Sequence, residues 1–146
     1  MTNKSKLEFK RFLELGSIPE KDLKFTVIVA KHKNKLVFVK HHKRDTYELP
    51  GGKKNFGEKI EETAKRELIE ETGATKFSLN PVSVFELKKS RTPFYGMLYY
   101  SYIYEFKNKL ESEIDEIILT KKIPDKLTYP TIQPHTLQKV KDFLKE

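Results

Sequence analysis

The sequence predicts a mixed α/β protein, a sandwich in which a mixed β-sheet lies between helices. Segments rich in β-branched and aromatic residues recur along the chain, and residues 98–106 are apolar on both faces of a strand. Such a strand is typical of the middle of a sheet that is covered on two sides. Residues 58–72 and 134–144 have apolar residues at helical spacing, so we expect them to form the covering helices.

The 146 residues are predicted to form one domain, 1–146. No repeat, low-complexity tract or linker rich in Gly, Ser or Pro divides the chain. The N-terminal segment, residues 1–23, has no clear structure, because Leu7 and Phe9 alternate as in a strand whereas Phe9, Phe12 and Leu13 share a helical face. Strand and helix both remain open there.

Charge and cysteine content limit the chemistry. The formal net charge of +8 attracts anions such as polyphosphates and nucleic acids, or only makes the surface well solvated. The absence of cysteine excludes disulfides, thiolate nucleophiles and zinc–thiolate sites. The chain has no apolar stretch of about 18 residues and no signal-peptide core, which predicts a cytoplasmic protein without membrane association.

Two predicted strands follow the N-terminal segment. Two β-rich runs, 25–29 and 36–39, are predicted to pair as a hairpin with Lys33 and Asn34 in the turn. Residues 47–52 predict a short strand, which a proline and two glycines end in a tight turn.

A helix is predicted over residues 58–72. This segment lacks Pro and Gly, is rich in Glu, Lys and Ala, and is followed by Gly73 as a C-terminal stop. The apolar residues that would pack on the sheet are Ile60, Ala64, Leu68 and, as a further candidate, Ile69.

The second half of the chain completes the sheet. It predicts strands over 77–87 and 98–106, joined by a basic loop at 88–93, and another strand over 114–120. A final amphipathic helix is predicted over 134–144. Its inward residues would be Leu137, Val140, Phe143 and Leu144.

Three carboxylates crowd one face of the first predicted helix. Glu67, Glu70 and Glu71 stand at positions i, i+3 and i+4, so they project within a single turn and repel one another. Mg²⁺ or Mn²⁺ prefers several hard oxygen ligands and would remove that repulsion. The alternative is a solvated acidic face, partly neutralised by Lys65 and Arg66.

The surrounding spacing decides between these interpretations. Gly52 is followed after five residues by Glu58, then after seven by Arg66-Glu67, an apolar residue, a free position, two glutamates, a free position, Gly73 and Ala74. This segment resembles the Nudix box, G-x5-E-x7-R-E-U-x-E-E-x-G-U, at every defined position. Residue frequencies of several per cent make an accidental match expected on the order of once in 10⁷ chains.

The resemblance to Nudix hydrolases of the MutT-like kind implies an α/β/α sandwich and Mg²⁺-dependent cleavage of a phosphoanhydride bond, with Mn²⁺ as a substitute. It implies metal ligation by Glu70, Glu71 and the Gly51 carbonyl, and a catalytic role for Glu67, which would bind metal or orient and deprotonate the attacking water. Glu58 would reach the metal cluster from the start of the helix. Arg66 would pair with a box carboxylate and hold it in place.

Relatives commonly take a further acidic ligand from beyond the box. Glu116, which precedes an apolar strand, occupies a similar place, and Glu113 is the alternative. Both residues are also explained as solvent-facing groups at a strand entrance.

Substrate contacts are harder to assign. Residues 128–140 resemble the segment before the last helix of MutT-type enzymes, but the position of the usual amide holds Ile132, with Gln133 beside it. Gln133, Thr131 or His135 would bind a base, or would only cap the last helix.

Two further groups are candidates for substrate binding. Aromatic residues that either stack on a base or belong to the core are Phe94, Tyr95, Tyr99 and Tyr102. Residues 40–44, ending in Arg44, would attract phosphates or form an exposed basic strand end, and Tyr47 follows them as another candidate. Neighbouring strand residues point to opposite faces, so one metal is not expected to be bound by both His41 and His42.

The predicted function is hydrolysis of a nucleoside triphosphate, including an 8-oxo-dGTP-like one, to a monophosphate and pyrophosphate. Alternatives are the triphosphorylated 5′ end of RNA, ADP-ribose and dinucleoside polyphosphates, although the subclass markers of the last two do not stand at their usual positions. A non-catalytic nucleotide or RNA sensor and a basic nucleic-acid-binding protein are alternatives of other classes. The resemblance also admits a homodimer.

Overall fold

The computed structural model describes residues 7–107 and 114–146. The strands are β1 (Leu7–Leu13), β2 (Leu23–His32), β3 (Lys35–His41), β4 (Gly51–Lys53), β5 (Ala74–Phe77), β6 (Asn80–Lys89), β7 (Thr92–Phe106) and β8 (Ile114–Thr120). The helices are α1 (Ile60–Thr72) and α2 (Gln133–Leu144), and a 3-10 turn precedes β2 at Glu20–Asp22.

The strands form one mixed sheet, as predicted. Its order is β1-β6-β7-β2-β3-β8, with β4 paired to β2 and β5 paired to β7. The pair β2–β7 is parallel, and the other pairs are antiparallel. The long strand β7 therefore lies in the interior of the sheet between β6 and β2, which confirms the position inferred from its two apolar faces.

The ambiguous N-terminal segment is a strand. β1 pairs antiparallel with β6, from Leu7 opposite Lys89 to Leu13 opposite Val84. The ring centroids of Phe9 and Phe12 lie 4.9 Å apart on it. Pairing with a strand some 70 residues away along the sequence settles the choice, which local periodicity does not.

Turn chemistry explains the two hairpins. Lys33 and Asn34 both have positive φ, 50° and 67°, as a two-residue turn between twisted strands requires, so the predicted β2–β3 hairpin is confirmed. The β6–β7 hairpin turns at Ser90, with φ of 58°, and Arg91. The predicted basic loop is therefore mostly strand, and Phe77 belongs to the separate strand β5.

The two glycines after Pro50 do not end a strand, contrary to the prediction. Gly51 and Gly52 begin β4 and pair with Val27 and Thr26 of β2. A Cβ on Gly51 would lie 2.2 Å from the Thr26 carbonyl oxygen, so only glycine permits this approach.

Each face of the sheet has its own apolar core. The core under α1 contains Ile28, Ala30, Val37, Ile60, Ala64, Leu68, Val84, Met97, Tyr99 and Ile103. The core under α2 contains Phe25, Val29, Phe38, Leu49, Phe85, Leu87, Leu98, Ile132, Leu137 and Val140. This is the predicted sandwich, with the sheet between helices.

Two predicted inward residues are wrong. Ile69 on α1 and Phe143 on α2 are exposed, because each lies beside the apolar stripe of its helix rather than within it. None of the described helices is both long and apolar enough to cross a membrane.

We expect Phe85→Ala to lower the free energy of unfolding by about 3–5 kcal/mol, because it leaves a cavity in a core that closes around the ring. Phe85 is fully buried, and its ring lies 5.2 Å from that of Phe25 and 6.2 Å from that of Phe12. Urea denaturation measures the loss. The matched control is Phe143→Ala, which removes a ring that is 47% exposed and should change stability by about 0.5 kcal/mol or less. Equal losses in both variants would contradict this assignment of the core.

Candidate active site

The backbone of β4 lies against two carboxylates of α1. The Gly51 N–H donates to Glu71 Oε1 at 2.9 Å. A Cβ on Gly52 would lie 2.1 Å from Glu67 Oε2, so the missing side chain makes room for that carboxylate. Two glycines thus allow two glutamates of α1 to rest against one short strand.

Glu58 is fixed just before the helix. Its Oε1 accepts hydrogen bonds from the Asn55 N–H at 2.8 Å and the Thr63 hydroxyl at 2.9 Å. The helix therefore begins at Ile60, two residues later than predicted, and it ends at Gly73, whose φ of 74° is left-handed.

Arg66 connects three of the box carboxylates. It is bidentate on Glu58, with Nε 2.6 Å from Oε2 and Nη2 3.1 Å from Oε1. Its Nη1 lies 3.2 Å from both Glu67 Oε2 and Glu70 Oε1, and its Nη2 donates to the Lys53 carbonyl at 3.1 Å. The predicted pairing of Arg66 with a box carboxylate is present, and the planar guanidinium makes it possible.

The pKa values of the carboxylates are shifted in different directions. The Arg66 guanidinium and then the Asn55 N–H lower the pKa of Glu58 to about 2. Burial raises the pKa of Glu67, and Arg66 opposes that shift. Burial raises the pKa of Glu71 to about 8, against the hydrogen bond from Gly51 and with a contribution from neighbouring Glu67, Glu48 and Glu70. The hydrogen bond from Gly51 therefore offsets only part of the cost of burying the Glu71 carboxylate.

His41, which the sequence places in the basic segment 40–44, lies beside Glu71. His41 Nε2 is 3.5 Å from Glu71 Oε2 and 3.5 Å from Glu48 Oε2. The available signal was its position two residues after the predicted strand 36–39, but nothing local indicated that the end of β3 lies near α1.

A cleft of about 320 Å³ opens on the side of β4 away from α1. Its lining includes Gly51, Gly52, Lys53, Phe94, Tyr129 and Gln133. Gln133 is 3% exposed, and its Oε1 has no hydrogen-bond partner among the described residues. The ring of Phe94 stacks on that of Phe25 at 4.9 Å. A polar atom without a partner in an apolar cleft is typical of a ligand site.

A family model described as the NUDIX domain matches residues 21–125. The chain belongs to the NUDIX family. It is therefore a hydrolase that acts on phosphoanhydride bonds.

Solved structures agree with this NUDIX assignment in their fold. The Bacillus subtilis pyrophosphohydrolase BsRppH, in a mutant form, is 22% identical with a TM-score of 0.76, over 94% of this chain and 90% of that one. A UDP-X diphosphatase is 18% identical with a TM-score of 0.71, over 90% and 66%. An ADP-ribose pyrophosphatase from Streptococcus suis is 14% identical with a TM-score of 0.62, over 84% and 92%. No curated protein is significantly similar in sequence.

The NUDIX carboxylates suit a divalent metal ion in their chemistry. Among the described residues no three acidic or histidine side chains converge as a ready metal site. Arg66 contacts Glu58 and Glu67, and the Gly51 N–H donates to Glu71. The donors are hard oxygens, and a cation would favour the charged form of buried Glu71. The residues therefore fit Mg²⁺ by donor type.

Of the two candidates for the extra acidic ligand, Glu116 lies within the described residues. Glu116 lies on β8 opposite Lys40, is exposed, and accepts a hydrogen bond from the Tyr47 hydroxyl at 3.2 Å. Glu113 lies outside the described residues. Tyr47 thus contacts the candidate ligand, and it packs against the α2-side core rather than lining the cleft.

Of the remaining candidates for substrate binding, two lie at the cleft and one lies in the core. Gln133 lines the cleft, and Arg44 hydrogen-bonds two of its lining residues, Tyr129 and Glu48. Tyr99 is 3% exposed in the core under α1, so its predicted contact with substrate is wrong. Neighbouring side chains on β7 point to opposite faces of the sheet, and Leu98 belongs to the core under α2. The sheet therefore lies between Tyr99 and the cleft.

Proposed function

We propose that the protein hydrolyses a nucleoside triphosphate to a monophosphate and pyrophosphate with Mg²⁺. The observation that supports this most is the position of β4. One side of this strand carries the Glu67 and Glu71 contacts, and its other side lines the 320 Å³ cleft. A nucleoside in the cleft would therefore place its phosphates beside the carboxylates.

The residues of the site would have different roles in the reaction. Glu67, Glu70, Glu71 and the Gly51 carbonyl would hold Mg²⁺, with Glu58 close by and Glu116 as a candidate from β8. When bound, Mg²⁺ would neutralise the phosphate oxygens and lower the pKa of water. Glu67 would orient the attacking water and accept its proton as the water oxygen bonds to phosphorus, and the bridging P–O bond between the α and β phosphates would break, separating the monophosphate from pyrophosphate. Arg66 is a positioning residue, because it ties Glu58, Glu67 and Glu70 to one guanidinium.

The cleft supplies the contacts to the nucleoside. Phe94, backed by Phe25, offers a ring for stacking on a base. Gln133 Oε1, which lacks a partner among the described residues, would accept a hydrogen bond from a base N–H. Arg44, through Tyr129 and Glu48, steadies the rim.

The triphosphorylated 5′ end of RNA is the second candidate. Lys53 and Lys89 line the cleft and are exposed, and the net charge of +8 favours a polyanion. The structurally similar BsRppH is a pyrophosphohydrolase, which suits release of pyrophosphate from either substrate. A catalytically silent sensor is less well supported, because such a protein has no need of the whole carboxylate set. The cytoplasmic location and the homodimer stay predictions.

A hydrolysis panel tests the proposal. It contains nucleoside triphosphates, 8-oxo-dGTP, ADP-ribose, a dinucleoside polyphosphate and short triphosphorylated RNA, with Mg²⁺ or with EDTA, and measures pyrophosphate and orthophosphate separately. We expect pyrophosphate from one triphosphate, only with metal. Turnover of ADP-ribose alone, or none of the panel, would contradict the proposal.

Gln133→Leu should raise KM for the best substrate about fivefold to tenfold and leave kcat nearly unchanged, because it removes one hydrogen bond to the bound base. Steady-state kinetics measures both constants. Gln138→Leu is the matched control, since Gln138 bonds to Asp142 on the exposed side of α2. A fall in kcat with unchanged KM would instead assign Gln133 to the chemical step.

A further inference from the structure

A second cavity, of about 410 Å³, lies on the face of the sheet that α2 covers. Its lining takes Leu137, Val140 and Leu144 from α2, whereas the cleft beside β4 takes Gln133 from the first turn of that helix. At 1.5 Å per residue, Gln133 and Leu144 are about 16 Å apart along the helix axis. Among the described residues the two cavities share no lining member, so the second cavity is a separate candidate site.

The floor of this second cavity is aliphatic. Val29 of β2, Leu36 of β3 and Val140 of α2 line it, and the exposed Ile123 lines it as well. Among the described residues no aromatic ring belongs to its lining. The stacking surface that Phe94 gives the cleft beside β4 therefore has no counterpart here. Such a floor suits an aliphatic chain better than a nucleobase.

The polar part of the lining is basic. Lys31 lies opposite Leu36 in the β2–β3 pair, and Thr120, directly before Lys121, lies opposite Leu36 in the β3–β8 pair. Thr120 Oγ1 and the backbone of Lys122 exchange two hydrogen bonds, of 2.9 and 3.0 Å, which fix the turn after β8. Positive charge therefore lies on both sides of Leu36. The charged residues that line the cavity are Lys31, Lys121, Lys122, Lys141 and Glu146.

Glu146 shows which chemical group these cations accept. Its Oε1 lies 2.6 Å from Lys31 Nζ, a short charge-assisted contact. The Lys31 side chain is only 21% exposed, whereas that of Glu146 is 47% exposed and is the more easily displaced of the two. No carboxylate among the described residues pairs with the ammonium of Lys121, Lys122 or Lys141. Four lysines and one glutamate thus leave an excess of three positive charges at the cavity.

The size of the cavity favours a small molecule over a protein partner. Small-molecule sites are clefts of about 300–1,000 Å³ with a mostly apolar lining and a few placed polar groups. A specific protein interface uses about 20–30 residues on each side, whereas twelve residues line this cavity. An apolar floor beside unpaired lysines is complementary to an anion that carries an apolar tail.

We propose that this cavity binds a free amphipathic carboxylate with an unbranched aliphatic tail, such as a medium-chain fatty-acid anion. The tail lies on Val29, Leu36 and Val140. The carboxylate replaces that of Glu146 on Lys31, and the other lysines attract the anion. No covalent bond forms or breaks, and the binding does not depend on the proposed hydrolysis.

Three probes test the chemistry of the ligand by isothermal titration calorimetry. Decanoate has the anionic head and the tail, acetate has only the head, and decyltrimethylammonium has the tail with the opposite charge. We expect saturable binding of one decanoate per chain, with affinity at least about tenfold weaker for each of the other two. Equal affinity for decanoate and decyltrimethylammonium would overturn the proposal, because the lysines would then have no role.

Variants test the position of the ligand. Lys31→Gln should raise the Kd of decanoate about tenfold, because it removes the charged partner of the carboxylate. Glu146→Gln should lower that Kd several-fold, since it removes the competing carboxylate. Lys10→Gln makes the same change of charge on an exposed residue of β1 and should leave the Kd unchanged. Melting temperatures of all the variants, measured in parallel, show that each one is folded.

The outcomes distinguish the cavity from general attraction of an anion to a basic protein. Equal Kd values in Lys31→Gln and Lys10→Gln, or an unchanged Kd in Glu146→Gln, would overturn the proposal. Amide shifts in a ¹⁵N NMR titration with decanoate should centre on Leu36, Lys122 and Val140, and shifts centred on Gly52 would contradict the site. Binding to phosphatidylglycerol vesicles without binding of free decanoate would assign the lysines to a membrane surface and overturn the proposal.

Discussion

We expect Glu67→Gln to abolish turnover, with a loss in kcat of about 10³-fold or more, while the protein stays folded. The expected size combines loss of a general base with loss of a charged metal ligand. Glutamine has the same shape, so it fits the space beside Gly52 where the Glu67 carboxylate rests. The burial that raises the pKa of Glu67 also means that removing its charge relieves a desolvation cost.

Steady-state kinetics on the best substrate and thermal denaturation, run in parallel, test this expectation. The matched control is Glu61→Gln on the same helix, because Glu61 is exposed and contacts only Lys65, at 3.5 Å, among the ion pairs described. It should keep the wild-type rate. A Glu67→Gln enzyme with wild-type kcat would remove Glu67 from the chemical step, and one that unfolds would show a structural role instead.

Gly52→Ala is expected to lower kcat by about 10²-fold or more with little loss of stability. An added Cβ would lie 2.1 Å from Glu67 Oε2 and 2.5 Å from its Cδ, so this side chain must swing away from β4. The end of a glutamate moves easily, which keeps the cost to folding small. Displacement of a reacting group by about 1 Å is enough for a hundredfold loss in rate.

Gly51→Ala provides the contrast for this experiment. Its Cβ would meet the carbonyl of Thr26 at 2.2 Å, and that atom belongs to the backbone of β2. We therefore expect Gly51→Ala to lower the melting temperature markedly, whereas Gly52→Ala lowers kcat. Melting temperature, kcat and the Mg²⁺ dependence of rate are measured for both variants. Wild-type kcat in Gly52→Ala would mean that the position of Glu67 against β4 is not required.

Local patterns were sufficient where a structure depends on near neighbours. The α1 helix, its left-handed end at Gly73 and the Lys33-Asn34 turn follow from residues within one or two turns of the chain. The same holds for the site on α1. Arg66 reaches Glu70 because Glu70 lies four positions further along the helix.

Other predictions from the sequence were wrong because they depend on contacts between segments that are distant along the chain. Tyr99 and Tyr100 look alike in sequence, but alternation on β7 and the position of α1 make Tyr99 a core residue. Pro50-Gly51-Gly52 looks like a turn, yet the glycines form strand β4 because β2 lies close enough to exclude any Cβ. Phe143 lies within one residue of the apolar stripe of the last helix, so the sequence pattern includes it. Only the packing of α2 shows that Phe143 is exposed.

The sequence by itself determined the family, the mixed sandwich and the carboxylate set of α1, because spacing within a helix and a strand follows directly from backbone geometry. Only the tertiary structure decided that β1 is a strand, that β4 lies between α1 and the cleft, and that His41 meets Glu71. Those features join residues far apart along the chain. Their energies come from burial and from pairing across the sheet, which no local pattern records.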